Sequence, residues 1–430
     1  MTTGAIAAII FIALILSLVL TIPIGFSLGI ASLAYIFYTD QLTLGFVARN
    51  MVTGCDSFPI MAIPFFVFAG ELMSGGGISK RLLDVANVFF GRIRGGLAIV
   101  TVVVCMFFAA ISGSGPATVA AVGGMVVPTM LEKGYDKKFV LALIAAAGSI
   151  GVIIPPSIPM VVYSVTVNSS VSSLFLAGFI PGILIGVVLI FYSYFYARKQ
   201  NYTGDTEPFS GKRALREIWR GKWALLSPVI ILGGIYGGIF TPTEAAAVSV
   251  IYSLVIGLFV YKELDFRQML DVTKRACETT ATILVVIGCA NGFSKVLTLG
   301  RIPTTVATLL TTMTDSKILV LLLIHLLLLL VGCFMETVCA IMILAPILFP
   351  VVTALGVDPV HFGIIMVTNL AIGFITPPLG VNLFVASRVG ETTLDVVIKG
   401  IVPFLILMIA TLMLITYVPG ISMLLPNLMG

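Results

Sequence analysis

The chain has 430 residues, 59% hydrophobic and 10% charged, with a mean hydropathy of +1.17 and a formal charge of +5. So few charges cannot cover a soluble surface, and runs of about 20 apolar residues recur from end to end, as membrane-spanning helices require. No long alternating pattern of the transmembrane-barrel kind is present, so the fold class expected is an all-α integral membrane bundle.

In chain order, apolar spans are predicted at 4–20, 22–38, 55–74, 138–165 and 173–197. A second set follows at 224–240, 243–261, 276–294, 360–387 and 400–420. Between the third and fourth members of each set lies a longer apolar stretch, 96–131 and 317–350, interrupted in its middle. The first interruption is Ser112-Gly113-Ser114-Gly115-Pro116 and the second is Gly332-Cys333-Phe334-Met335-Glu336-Thr337. Residues 78–94 are basic and amphipathic and read as a helix along the membrane interface, with a counterpart near 300–315 on the opposite face. Residues 198–222 form the one sizeable polar linker. The first basic residue is Arg49, so the N-terminus lacks the charged region of a signal peptide, and 4–20 reads as a retained helix. Six cysteines lie in apolar segments without CxxC spacing and read as small buried residues.

The two sets match without gaps at an offset of 222 residues: Pro128 meets Pro350, Gly134 meets Gly356, and Gly151, Pro155 and Pro156 meet Gly373, Pro377 and Pro378. Prolines and glycines in register over so long a stretch mark an internal duplication. The expected organisation is repeat one at 1–197, a cytoplasmic linker at 198–222 and repeat two at 223–430.

Orientation follows from Lys and Arg. If the interrupted stretches are re-entrant hairpins and the N-terminus faces outside, 20 of the 24 basic residues lie inside, leaving Arg49, Lys295, Arg301 and Lys317 outside. Ten spans and two hairpins result, with both termini outside. Five spans per repeat is an odd number, so the second repeat must run upside down relative to the first. Inverted repeats with broken helices are a route to alternating access.

Four breaks interrupt helices at mid-membrane: the two hairpin tips and the Pro-Pro sequences Gly151–Ser157 and Gly373–Leu379. Unpaired main chain in a bilayer costs several kcal/mol per group unless something covers it. Tip and break of the same half can meet. Carbonyls with the hydroxyls of Ser112, Ser114 and Ser157 would line one pocket, and carbonyls with Thr337 and Thr376 the other. These are hard neutral oxygens, which suit Na⁺. The helix ends after the breaks carry partial positive charge and favour a carboxylate, so Ser112 and Ser157 are candidate substrate donors. Glu336, costly at that depth, is a candidate for substrate contact or for holding the tip. His325 reads as a packing residue, Asp56, Glu71 and Glu244 as span-end groups, and Asn369 and Asn382 as further oxygens beside the second break.

At SGSGPAT (112–118), GVIIPPSIPM (151–160), GCFMET (332–337) and GFITPPLGVNLFVAS (373–387) the sequence resembles the large membrane subunit of TRAP (tripartite ATP-independent periplasmic) transporters. The resemblance covers essentially the whole chain. It implies an elevator mechanism in a bacterial inner membrane, with Na⁺ as coupling ion and no cofactor. It places Na⁺ sites on Ser112, Gly113, Gly151 and Pro155 and on Gly332, Phe334, Gly373, Thr376 and Leu379, the apolar residues acting through carbonyls. It further implies an organic anion such as a sialic acid, another sugar acid or a C4-dicarboxylate, delivered by a periplasmic binding protein, and a separate small four-helix membrane subunit. No nucleic acid is implied, and no P-loop motif offers nucleotide hydrolysis. Two alternatives stand beside this: a stand-alone Na⁺- or H⁺-coupled carboxylate transporter of the same superfamily, and an intramembrane serine protease built on SGSG, which would need His325 or His361 as its base.

Overall fold

A computed structural model describes residues 3–39, 42–204, 210–313 and 316–429, and every regular element among them is a helix. The first half runs α1 (Thr3–Val19), α2 (Ile24–Thr39), α3 (Leu44–Cys55), α4 (Ala62–Gly75), α5 (Ile78–Phe90), α6 (Gly96–Ser112), α7 (Gly115–Glu132), α8 (Lys137–Ser149), α9 (Ile158–Val167) and α10 (Val171–Lys199). The second runs α11 (Gly211–Tyr236), α12 (Pro242–Val255), α13 (Phe266–Leu299), α14 (Ile302–Met313), α15 (Lys317–Phe334), α16 (Thr337–Ala354), α17 (Pro359–Gly373), α18 (Val381–Val389), α19 (Leu394–Tyr417) and α20 (Gly420–Met429). The helix bounds recur at the sequence offset. α6 and α15 end at Ser112 and Phe334, and α7 and α16 begin at Gly115 and Thr337, each pair 222 residues apart.

The two hairpin tips turn by different means. Gly113 takes φ +59° to cap α6, and Pro116 sits in the first turn of α7, where its missing N–H costs nothing. The second tip has no such glycine. Met335 is extended, and the Glu336 carboxylate caps α16 by accepting from the N–H groups of Val338 at 2.9 Å and Cys339 at 3.4 Å.

Helices α1–α4 pack with α11–α13 as one group. The hairpins α6/α7 and α15/α16 pack with the broken pairs α8/α9 and α17/α18 and with α10 and α19 as a second group. Helices α5 and α14, equivalent under the repeat, touch both. The second group is the more enclosed: every residue of α8 from Phe139 to Ser149, and of α17 from His361 to Gly373, is buried. In the first group α3 approaches α13 through small residues. A Cβ on Gly54 would stand 2.2 Å from the Asn291 amide nitrogen, and one on Gly288 would stand 3.1 Å from the Met51 carbonyl oxygen.

Three expectations are corrected. The linker is not polar coil throughout: α10 extends to Lys199, and α11 starts at Gly211, where Ser210 accepts from Arg213 N–H at 3.4 Å. Of that linker, residues 205–209 lie outside the described residues, as do 314–315 of the predicted α5 counterpart. The third spans, predicted alike, also differ. The one predicted at 55–74 is a short 3₁₀ turn (Phe58–Met61, with Pro59) leading into α4, and a separate helix, α3, precedes it, whereas its counterpart predicted at 276–294 lies within α13, one helix of 34 residues, about 51 Å long at 1.5 Å per residue. Its N-terminal end carries Arg267, Asp271, Lys274 and Arg275, which hid it from a hydropathy reading. Finally, Cys277 is exposed on α13, while Cys105, Cys289, Cys333 and Cys339 are buried.

Candidate functional site

Each hairpin tip meets the break of its own half. In the first half the Gly113 carbonyl accepts from Ile158 N–H at 3.5 Å, across the Pro-Pro break. Gly113 has no room for a side chain, because its Cβ would stand 2.8 Å from the Pro156 oxygen. Gly151 is equally constrained: a Cβ would come within 2.6 Å of both the Ser114 oxygen and Thr118 Oγ1. In the second half Gly380 N–H donates to the Cys333 carbonyl at 3.2 Å, and Cys333 Sγ donates to the Thr376 carbonyl at 3.1 Å. Gly332 and Gly373 lie backbone to backbone, a Cβ on Gly373 falling 2.6 Å from Gly332 Cα. Both Pro-Pro bonds, 155–156 and 377–378, are cis.

A compact oxygen cluster forms at the first tip. Ser112 Oγ lies 3.1 Å from Thr118 Oγ1, and Thr118 donates to the Ser114 carbonyl at 2.8 Å. Ser112 also approaches that carbonyl at 3.3 Å and Ser114 N–H at 3.4 Å. Thr118 was not singled out in the sequence, although it closes the SGSGPAT motif. Its position one turn after Ser114 is the signal that could have found it. Ser157 is fully buried, donates to the Val152 carbonyl at 2.6 Å and caps α9 by accepting from Met160 N–H at 3.4 Å. Reaching a substrate would require it to give up the first of these bonds. Pro155 is buried beside it.

The second site is more open. Phe334 and Leu379 are exposed, as are Pro378 and Glu336, while Gly332, Gly373 and Thr337 are buried and Thr376 is half-buried. Thr376 donates to the Ile372 carbonyl at 2.9 Å. Thr337 Oγ1 has no hydrogen-bond partner among the described residues. Nor do Thr368 Oγ1, Asn369 Oδ1, Asn382 Oδ1 and His325 Nε2, all on the second hairpin or its broken helix. Buried polar atoms without partners cost free energy, so their concentration here points to a ligand or water rather than to packing.

The two sites touch. Gly115, at the first tip, leaves room for the Phe374 ring and the Asn382 amide of the second break, 3.2 Å and 3.4 Å from where its Cβ would be. Asn382 Nδ2 donates to the Ala145 carbonyl and to Ser149 Oγ, both at 3.1 Å. The broken helices of the two halves are thus joined by two hydrogen bonds. His325 bonds Asn369 through Nδ1 at 2.7 Å, and His361 bonds Ser422 at 2.6 Å and the Thr416 carbonyl at 3.1 Å. Neither histidine pairs with Ser112 or Ser114 among the described residues, so no serine–base pair is assembled. Glu244 forms a capping box with Thr241, and Glu71 pairs with Arg275 at 3.0 Å. No cluster of His, Cys, Asp or Glu able to hold a transition metal occurs among the described residues.

Two solved transporters share the fold at low identity. Neisseria gonorrhoeae MtrF, from a class of antimetabolite efflux pumps, aligns at TM-score 0.60 with 13% identity, covering 92% of this chain and 86% of its own. The Alcanivorax borkumensis YdaH transporter aligns at 0.57 with 16% identity, covering 86% and 88%. Sequence relatives are closer. The isethionate TRAP transporter permease protein DctMQ of Oleidesulfovibrio alaskensis is 50% identical over 95% of this chain, which spans 64% of that protein's length. The C4-dicarboxylate TRAP transporter large permease protein DctM of Rhodobacter capsulatus is 40% identical over 99% of this chain and 100% of its own. The sialic acid large permease SiaM of Vibrio cholerae is 38% identical over 94% and 95%. These relatives are transporter permeases and not enzymes. Residues 11–421 match the DctM component of the tripartite ATP-independent periplasmic transporters, and the chain belongs to that family of large permease subunits.

Proposed function

We propose that this subunit uses a Na⁺ gradient to carry a small organic anion inward across a bacterial inner membrane, with both termini on the periplasmic side. A periplasmic binding protein delivers the anion, and a small membrane subunit completes the complex. The carrying observation is the pairing of each re-entrant tip with the break of its own half, which gathers main-chain and hydroxyl oxygens at two related points. One cation site uses Ser112, Gly113, Ser114, Gly151 and Pro155, with Thr118 added. The other uses Gly332, Phe334, Thr337, Gly373, Thr376 and Leu379. Neutral oxygens of this kind hold an alkali cation without a carboxylate. Between the sites, the N-terminus of α7 at Gly115, which no side chain caps, offers amides to an anion, whereas Met160 N–H is taken by Ser157 and the Val338 and Cys339 N–H groups by Glu336. Ser112 Oγ, at the first tip, is the proposed side-chain donor to that anion. Glu336 serves the tip as its cap, and a carboxylate beside an anion would oppose binding.

The division into two helix groups supports an elevator in which the hairpins and broken helices move against α1–α4 and α11–α13. The relatives widen the substrate question beyond the sugar acids and C4-dicarboxylates expected from sequence. At 50% identity to an isethionate permease against 40% to a C4-dicarboxylate one, a small sulfonate is the first probe and succinate the second. The test is uptake of labelled isethionate and succinate into proteoliposomes holding both membrane subunits, with binding protein added outside. Uptake should require an inward Na⁺ gradient and the binding protein. Uptake of equal rate without the binding protein would establish the stand-alone reading instead, and uptake driven by a pH gradient alone would remove Na⁺.

A further inference from the structure

A second recess, away from the tips, opens at the seam between the two helix groups. It has a volume of about 380 Å³ and lies between α3 and α13 on one side and α9 and α16 on the other. Asn50, Asn291, Ser294 and Lys295 line it from the first group, and Thr166 and Met342 from the second. The distribution of Lys and Arg puts all four walls in the outer half of the membrane.

The chemistry of this recess is one-sided. Lys295 is its single charged group, and no acidic residue lines it. Lys295 is exposed and makes no salt bridge among the described residues. It is also one of only four basic residues that the orientation leaves outside, so an uncompensated cation here runs against the general trend of the sequence. Asn291 lies half-buried one turn before it, and the absence of a side chain on Gly54 leaves the space its amide occupies. Asn50 and Thr53, by contrast, have their donors committed to the Phe46 and Arg49 carbonyls at 2.7 Å and 2.9 Å. A lone ammonium with an amide and a hydroxyl on the same helix face, in a recess without carboxylates, selects a small anion.

We infer that this recess is an outer holding site for a carboxylate or sulfonate, where Lys295 and Asn291 receive the anion before it reaches the hairpin tips. The inference rests on the transport reading for its purpose, but not for its charge preference. Its walls belong to both groups, so any sliding of one group past the other changes its shape. Filling it and moving the hairpins are therefore coupled.

The deciding experiment uses the full membrane complex in proteoliposomes and reads charge preference without transport. Asn291→Cys is labelled from outside with anionic sulfonatoethyl and cationic trimethylammonium-ethyl methanethiosulfonate, with the parent chain as background. The anionic reagent should react roughly threefold or more faster relative to its rate on a free thiol, and Lys295→Met should abolish that preference. Millimolar isethionate or succinate should slow it. Ser294→Cys provides the same reading where Asn291→Cys folds poorly. Equal relative rates for the two reagents, or a preference unaltered by Lys295→Met, overturn the inference. In the uptake assay Lys295→Met should raise the half-saturating anion concentration about tenfold while leaving Na⁺ dependence unchanged. No uptake by any variant, with the labelling preference intact, would reject the transport reading and leave the recess standing.

Discussion

Gly373→Ala probes the contact on which the proposed second cation site depends. A Cβ there would stand 2.5 Å from the Gly332 carbonyl carbon, 2.6 Å from its Cα and 2.8 Å from its oxygen. Carbon atoms rest at about 3.5–4.0 Å, so the hairpin tip must retreat from the broken helix by about 1 Å. Both sides are main chain, and no flexible side chain can yield instead. Overpacking of this kind costs about 1–3 kcal/mol. With 1.4 kcal/mol per factor of ten, the Na⁺ concentration for half-maximal uptake should rise about tenfold. The assay is initial uptake against external Na⁺ in proteoliposomes, with the protein checked by size exclusion. Gly124→Ala is the control, since nothing lies within 4 Å of its Cβ position. A folded Gly373→Ala protein with the parent Na⁺ dependence would show that tip-to-break contact does not shape the ion site.

Thr118→Val removes the hydroxyl bridging Ser112 and the Ser114 carbonyl, each bond contributing about 1 kcal/mol. Half-saturating Na⁺ should rise several-fold, with expression retained in membrane preparations. Ser112→Ala and Thr376→Ala should each weaken Na⁺-dependent uptake in the same assay, and unchanged dependence in both would remove the ion assignment. Ser157→Ala loses the α9 cap and should lower stability by about 1 kcal/mol, seen as an earlier thermal transition in detergent. Asp84 on α5 has its pKa raised, first by burial and then by nearby Glu217, against the opposing pull of Lys80, Arg81 and Arg220. A folded-state value above the unfolded one means the ionised carboxylate costs stability, and that cost grows as pH rises through the raised value. Asp84→Asn should therefore melt later than the parent at pH 7, with the difference vanishing on acidification below the unfolded carboxylate range.

The features that sequence revealed are those that glycine and proline announce. Breaks at Gly113, Gly151, Gly332 and Gly373 could be read because such residues inside apolar runs have few other uses in a bilayer. The register of the repeat could be read because prolines do not align by chance. Thr118 was missed because it sits in a regular helix, where only the fold of the tip brings its hydroxyl to Ser112. The link from Asn382 to Ala145 and Ser149 joins residues more than 230 positions apart, and nothing local encodes it. The length of α13 escaped for a different reason: helix persists beyond the apolar zone, and hydropathy sees only the zone. Lys295 had been counted as one of the few outer charges, but the recess it faces exists only once α3, α9, α13 and α16 are assembled.

The unbroken α13 and its divided counterpart, α3 with α4, carry one consequence for energetics. A chain of two identical inverted halves would have equal free energy facing either side, because turning it over would reproduce it. Pro59 adds to the unlike hairpin tips in breaking that equivalence, by placing a joint in one strut and none in the other. In the proposed transport cycle, the inward-facing and outward-facing forms are then free to differ in population before any ligand binds. A resting preference of this kind can be tuned by residues far from the candidate site, those of the joint at Asp56–Met61 among them.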